Sequence, residues 1–163
     1  MELLIVIVVI GVLSAMMMLS STEAVSSARA SNIISNLRNL KTAALAWYAD
    51  HVDIAENSAF KFVTENADGK TNIASADVVK YMSNEGANGF ADYDIKGSAA
   101  ENWYVVYQGA FDSRVSEKLA GRAASVGLLG QDDKTYTEPT SATDKFEVKM
   151  LILKRKDTTT STP

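Results

Sequence analysis

The sequence predicts an α+β fold: a long N-terminal helical spine packed on a small head with a short antiparallel β-sheet. Three observations carry the prediction. Residues Leu3 to Leu19 form a run of seventeen uncharged, mostly apolar residues. From Val25 onward, apolar residues return every three or four positions, the period of one face of an α-helix. Near the C-terminus, "KFEVKMLILKR" alternates Phe146, Val148, Met150 and Ile152 with Lys145, Glu147 and Lys149, the period of a half-buried strand.

The 163 residues suffice for one modest domain with an extension. Two parts follow: a hydrophobic segment at 1–24, and a unit at 25–163 made of the amphipathic half of the spine plus the head. Hydrophobic content of 47% and charged content of 22% lie in the ordinary globular range, so the chain as a whole folds. The net charge is −4, and Lys and Arg form no cluster of the kind that binds nucleic acid. The chain has no cysteine, which excludes disulfides, thiolate-ligated metals and thiol catalysis.

The first element is the apolar run. A cleavable secretory signal opens with basic residues and has a shorter apolar stretch. Here the only charge at the front is the acid Glu2. A helix apolar on every side has no face to turn to water, so it lies in a core or a membrane. Seventeen residues at helical rise cover about 25 Å, near the lower limit for the hydrocarbon layer of a bilayer. The segment therefore reads as a membrane anchor.

These residues also carry a family resemblance. "ELLIVIVVIGVLSA" resembles the N-terminal segment of bacterial type IV pilins and type II secretion pseudopilins. Glu2 is followed by Leu3, Leu4, Ile5 and Val6, and Gly11 lies nine residues on, where the family has its glycine. The likeness is close over about fourteen residues and looser through "ASNIISNLRNLKTAALAWYADH". Two positions depart from the family pattern. Met1 alone stands before the glutamate, and Leu19 occupies the place where many bacterial pilins carry proline.

The resemblance implies a non-enzymatic structural subunit that polymerises helically as a homo-oligomer, with Glu2, Leu3, Leu4, Ile5 and Gly11 at the assembly contact. It implies an inner-membrane location before assembly and an extracellular filament after it. The implied partners are the lipid bilayer and then an inner-membrane pilus or secretion machinery; no cofactor is implied. Glu2 would pair with the N-terminal amine of a neighbouring subunit, because a carboxylate in hydrocarbon is costly without a positive partner. A pseudopilin or minor pilin is the nearest alternative. A membrane-anchored binding or enzymatic domain is the alternative from another class.

The second half of the spine follows. Ile33, Leu37, Leu40, Ala44 and Trp47 form the apolar stripe, widened by Ile34, Leu45 and Tyr48. Ile33, Leu37, Leu40 and Trp47 are the positions expected to pack against the head. "SSTE" at Ser20–Glu23 has the capping-box pattern and so marks either a polar stretch or a helix restart. The reading is one helix from about Glu2 to Asp50.

In the head, "HVDIAENSAFKFVTENADGKTN" reads as irregular, with a turn at Asp68-Gly69. "SADVVKYMSNEG" reads as a short helix between Ser75 and Gly86. "NWYVVYQG" is a strand. A helix begins near Ser113 and closes at Gly127 or Gly130. "QDDKTYTEPTSATD" is a loop, and the Thr-rich tail is polar.

Chemistry-bearing residues are sparse. His51 is the only histidine and sits at the end of the spine, a place for a helix cap or a surface residue. Without cysteine or a second histidine, nucleophilic triads and zinc sites lack parts. Asp132, Asp133 and Asp144 match no calcium-loop spacing, so they read as solvated loop acids, although related pseudopilins bind calcium in a late loop.

Overall fold

The computed structural model describes residues 2–57, 60–63, 72–74, 77–78, 80–81, 92–110, 112–139 and 147–154. Helix α1 spans Glu2–Asp50 as a single 49-residue helix, about 74 Å long at 1.5 Å per residue. It passes Gly11 and the "SSTE" tetrapeptide without a break, so no helix restarts there. Hydroxyls further along the helix bond to its own carbonyls: Ser26 Oγ donates to Thr22 O (3.1 Å), Ser31 to Ser27 O (2.9 Å) and Thr42 to Arg38 O (3.0 Å). Such back-bonding lets polar residues stay inside a helix without interrupting it.

At the far end, the His51 N–H donates to Trp47 O (3.1 Å) and Tyr48 O (3.2 Å). One further turn, α2 (Val52–Ala55), follows. The stretch after His51 is therefore not uniformly irregular. It holds α2 and strand β1 (Lys61–Val63), which pairs in parallel with β2 (Asn72–Ala74). Three-residue strands are too short for alternation to mark them in a sequence. The Asp68-Gly69 turn lies outside the described residues, as do Ser75 and Gly86. Between those two, Asp77 and Val78 are helical and Val78 is fully buried.

The main sheet comprises β3 (Tyr93–Lys96), β4 (Trp103–Tyr107), β5 (Leu128–Leu129) and β6 (Val148–Leu153), with helix α3 (Ser113–Val126) between β4 and β5. The strand order is β3-β4-β6-β5, and every neighbouring pair is antiparallel. Tyr93 faces Tyr107, Val106 faces Lys149 and Leu128 faces Met150. Along β6, Val148, Met150 and Ile152 are buried and the residues between them are partly exposed. Phe146, the first of that alternating series, lies outside the described residues.

Helix α3 is bounded by side-chain chemistry. Asp112 is its N-cap, its carboxylate accepting from the Val115 N–H at 2.9 Å. Gly127 ends it in the left-handed conformation, φ 76° and ψ 38°, which glycine reaches without a Cβ clash.

The second half of α1 packs against β4, β6 and α3. Ala30, Ile33, Leu37, Leu40, Ala44 and Trp47 all enter the core there, with Leu37 fully buried. The Trp47 ring lies among Phe60 (centroids 5.6 Å apart), Phe62 (6.0 Å) and Trp103 (6.3 Å). Trp103 is anchored by its Nε1–H, which donates to Ser98 O at 2.9 Å. It also requires the glycine at Gly97, where a Cβ would stand 2.6 Å from the indole ring. The bond from the Phe62 N–H to Gly97 O (3.0 Å) ties β1 to the end of β3.

Candidate functional site

Helix α1 has two halves with opposite surroundings. From Ala30 to Trp47 one face is sealed by the head. From Leu3 to Met17 every large apolar side chain is exposed, from half to as much as 79% at Leu3. Apart from its chain neighbours and the adjoining backbone of α1, no described atom lies within 4 Å of where a Cβ on Gly11 would stand. The most apolar stretch of the helix has a mean hydropathy of 2.8 and none of it is buried. It is long and apolar enough to cross a membrane. A bare apolar surface of this size marks a place where lipid or protein belongs.

The predicted assembly residues Leu3, Leu4, Ile5 and Gly11 all lie on this bare half, and Glu2 is the first residue of α1. An acid at a helix N-terminus is favoured by the helix dipole. The head-facing residues Ile33, Leu37, Leu40 and Trp47 all lie in the buried half, each at most 7% exposed. The two groups are thus separated along one rod.

Where the halves meet, α3 clasps α1. Lys118 Nζ lies 2.9 Å from the Glu23 carboxylate. That hydrogen bond, with the charge behind it, raises the ammonium above its ordinary pKa. Arg122 donates to the hydroxyls of Ser31 (2.7 Å) and Ser27 (3.1 Å). Ser26 is buried in the same contact. Sequence reasoning missed these residues. The available signal was the spacing of Arg114, Lys118 and Arg122, four residues apart on one helix face.

The remaining candidates are engaged structurally. His51 stacks on Trp47, with centroids 5.0 Å apart and planes 8° apart, and its Nδ1 lies 3.1 Å from Trp47 O. Asp133 is an exposed loop acid, as expected, and it is also paired. Its carboxylate accepts from Lys149 Nζ at 2.6 Å and from the Tyr104 hydroxyl at 3.0 Å. The Lys149 hydrogen bond holds that carboxyl below its ordinary range. Asp133 adopts φ 58°, a left-handed backbone that aspartate tolerates better than most residues. Asp144 lies outside the described residues. Among the described residues no three His, Cys, Asp or Glu side chains are grouped so as to hold a metal ion.

A second polar feature lies beside the core. An open cleft of about 300 Å³ is lined by Arg29, Asn36, Asp92, Tyr93 and Tyr107, among others. The Asn36 amide donates to the Tyr93 hydroxyl at 3.2 Å, and the two tyrosine rings stand 4.9 Å apart. Burial pushes the Tyr93 phenol up to about 12, against the opposing effect of the Asn36 hydrogen bond.

No family model, curated protein or solved structure matches this chain.

Proposed function

We propose that this chain is the structural subunit of a type IV pilus-like extracellular filament, held in the inner membrane before assembly. One observation carries the reading. A single helix is sealed into a head over one half and left bare and apolar over the other. A subunit of this shape buries its bare half in lipid as a monomer and among identical helices as a polymer. The "ELLIVIVV" run that begins at Glu2, with Gly11 at its place, supports the same reading through its resemblance to pilins and pseudopilins.

The driving force for polymerisation is not simple hydrophobic burial. Lipid is already as apolar as leucine, so moving Leu3–Leu19 from bilayer to filament core yields little transfer free energy. Close packing, helix contacts and a charge pair at Glu2 must favour the polymer. Extraction from the bilayer needs work, which in this family comes from a cytoplasmic assembly ATPase. The role is scaffolding and not catalytic, with no cofactor. The same helix serves a pseudopilin or minor pilin equally well.

Glu2→Ala tests the proposal. The variant monomer should still fractionate with membranes, and sheared surface filaments should fall sharply or vanish. Wild-type amounts of normal filament from that variant would overturn the assembly role of Glu2.

A further inference from the structure

The contacts between α1 and α3 have a register with a consequence outside the head. Lys118 meets Glu23, and Arg122 meets Ser27 and Ser31, so the paired positions lie 91 to 95 residues apart. The numbers rise together along both helices, so α3 runs parallel to α1. The same offset sets Arg114 level with Leu19 to Glu23, at the edge of the apolar run. Arg114 lines an open cleft of about 310 Å³ with Glu23, Ser26, Glu117 and Lys118, and its side chain is exposed.

We propose that this shoulder of the head seats on the phospholipid headgroup layer, with the Arg114 guanidinium taking a lipid phosphate. The inference rests on the membrane-spanning reading of Leu3–Leu19. A hydrocarbon core of about 30 Å within a bilayer of about 40–45 Å leaves each headgroup layer roughly 5–8 Å deep. Arg114 stands between the level of Leu19 and four residues further on, about 6 Å at helical rise, which is within that layer. The planar guanidinium fork matches two phosphate oxygens at once.

The neighbouring charges define the kind of surface. Lys118 is paired with Glu23, and the Asp112 carboxylate is turned to the Val115 N–H. Glu117 is the other acid lining the cleft. The shoulder is therefore not a strongly cationic patch. It fits individual phosphates of a zwitterionic bilayer and does not need an anionic one.

The absence of cysteine makes the test direct. Single-cysteine variants Leu13→Cys, Ser113→Cys and Ala124→Cys of the full chain carry a fluorophore in phosphatidylcholine vesicles. Nitroxide-labelled lipids quench either in the acyl chains or at the headgroup. The Leu13 label should be quenched by acyl-chain nitroxide, which checks the span. The Ser113 label should be quenched by headgroup nitroxide several-fold more than the Ala124 label. Arg114→Glu, a change at an exposed position, should bring the Ser113 value down towards that of Ala124. Equal headgroup quenching at Ser113 and Ala124, with Leu13 quenched, overturns the seating alone. A Leu13 label left unquenched overturns the span and the seating with it. A Ser113 signal unchanged by Arg114→Glu overturns the role of Arg114.

Discussion

Two side chains show how single residues hold the head to the spine. Leu37 is fully buried between α1 and the sheet. Leu37→Ala should cost about 2–5 kcal/mol, the transfer free energy plus the cavity left behind. Thermal melting of the full chain in detergent, followed by near-ultraviolet aromatic dichroism, reads the head without reading the helix content of α1. An unchanged midpoint would contradict the packing. Tyr93 is the second case, with its phenol raised by burial from 10.0 to about 12. The folded state keeps the neutral form, so this contribution to stability is whole below about pH 10. It is lost as pH rises through about 12. Tyr93→Phe should flatten the decline of the melting midpoint across that alkaline window. Burial also raises Tyr107 and Tyr136, so part of the decline should remain. Equal slopes in wild type and variant would show that Tyr93 is not the group being titrated.

At the scale of elements, α3 is the piece most dependent on its ends. It has fourteen residues, a length at which isolated helices are marginal. Asp112→Ala removes the N-cap bond to Val115 and should destabilise the head by about 0.5–2 kcal/mol. Gly127→Ala places a Cβ in open space but forces an L-residue into a positive φ, which should cost about 1 kcal/mol. Denaturant midpoints of the two single variants and the double variant measure both effects. The caps stand at opposite ends of the helix, so the losses should add, and strong non-additivity would mean that α3 frays as one unit. This helix was legible in the sequence, from a start near Ser113 to a closing glycine, because such signals are local; its capping aspartate, Asp112, emerged with the structure. The partners of Lys118 and Arg122 were not legible, because they lie more than ninety residues away in the chain.

For the whole molecule, the proposed function raises the question of how one unbroken helix would serve a bilayer and then a filament. The monomer keeps α1 unbroken from Glu2 to Asp50. In a filament core, subunits reach neighbours at several heights, and an extended residue covers about 3.3 Å against 1.5 Å in a helix. Unwinding six residues would lengthen the spine by roughly 11 Å. We expect a stretched or non-helical piece within Gly11–Leu19 in the polymer, starting near the glycine. Neighbouring helices must then satisfy the freed backbone groups, since an apolar core supplies no water. A filament map resolving unbroken i to i+4 hydrogen bonding from Leu3 to Ala46 would overturn this expectation.

The sequence by itself determined α1 as one helix from about Glu2 to Asp50, its division into an apolar and an amphipathic half, and the approximate positions of α3, β4 and β6. Each of these is written as a periodicity or a cap within a few adjacent residues. "SSTE" showed the limit of such signals. Its capping pattern is real, but the continuous hydrogen-bond ladder of α1 outweighed it. Tertiary structure alone decided the rest. Strand β3, the two-residue β5 and the parallel β1–β2 pair exist through hydrogen bonds to a partner strand and not through a pattern within their own few residues. Asp133 became a paired group only because β6 carried Lys149 to within 2.6 Å of it. The register of α3 on α1 belongs to the same class. A local pattern sets where a helix begins and ends, whereas complementary packing and long-range charge contacts set which face of it meets which neighbour, and at what height.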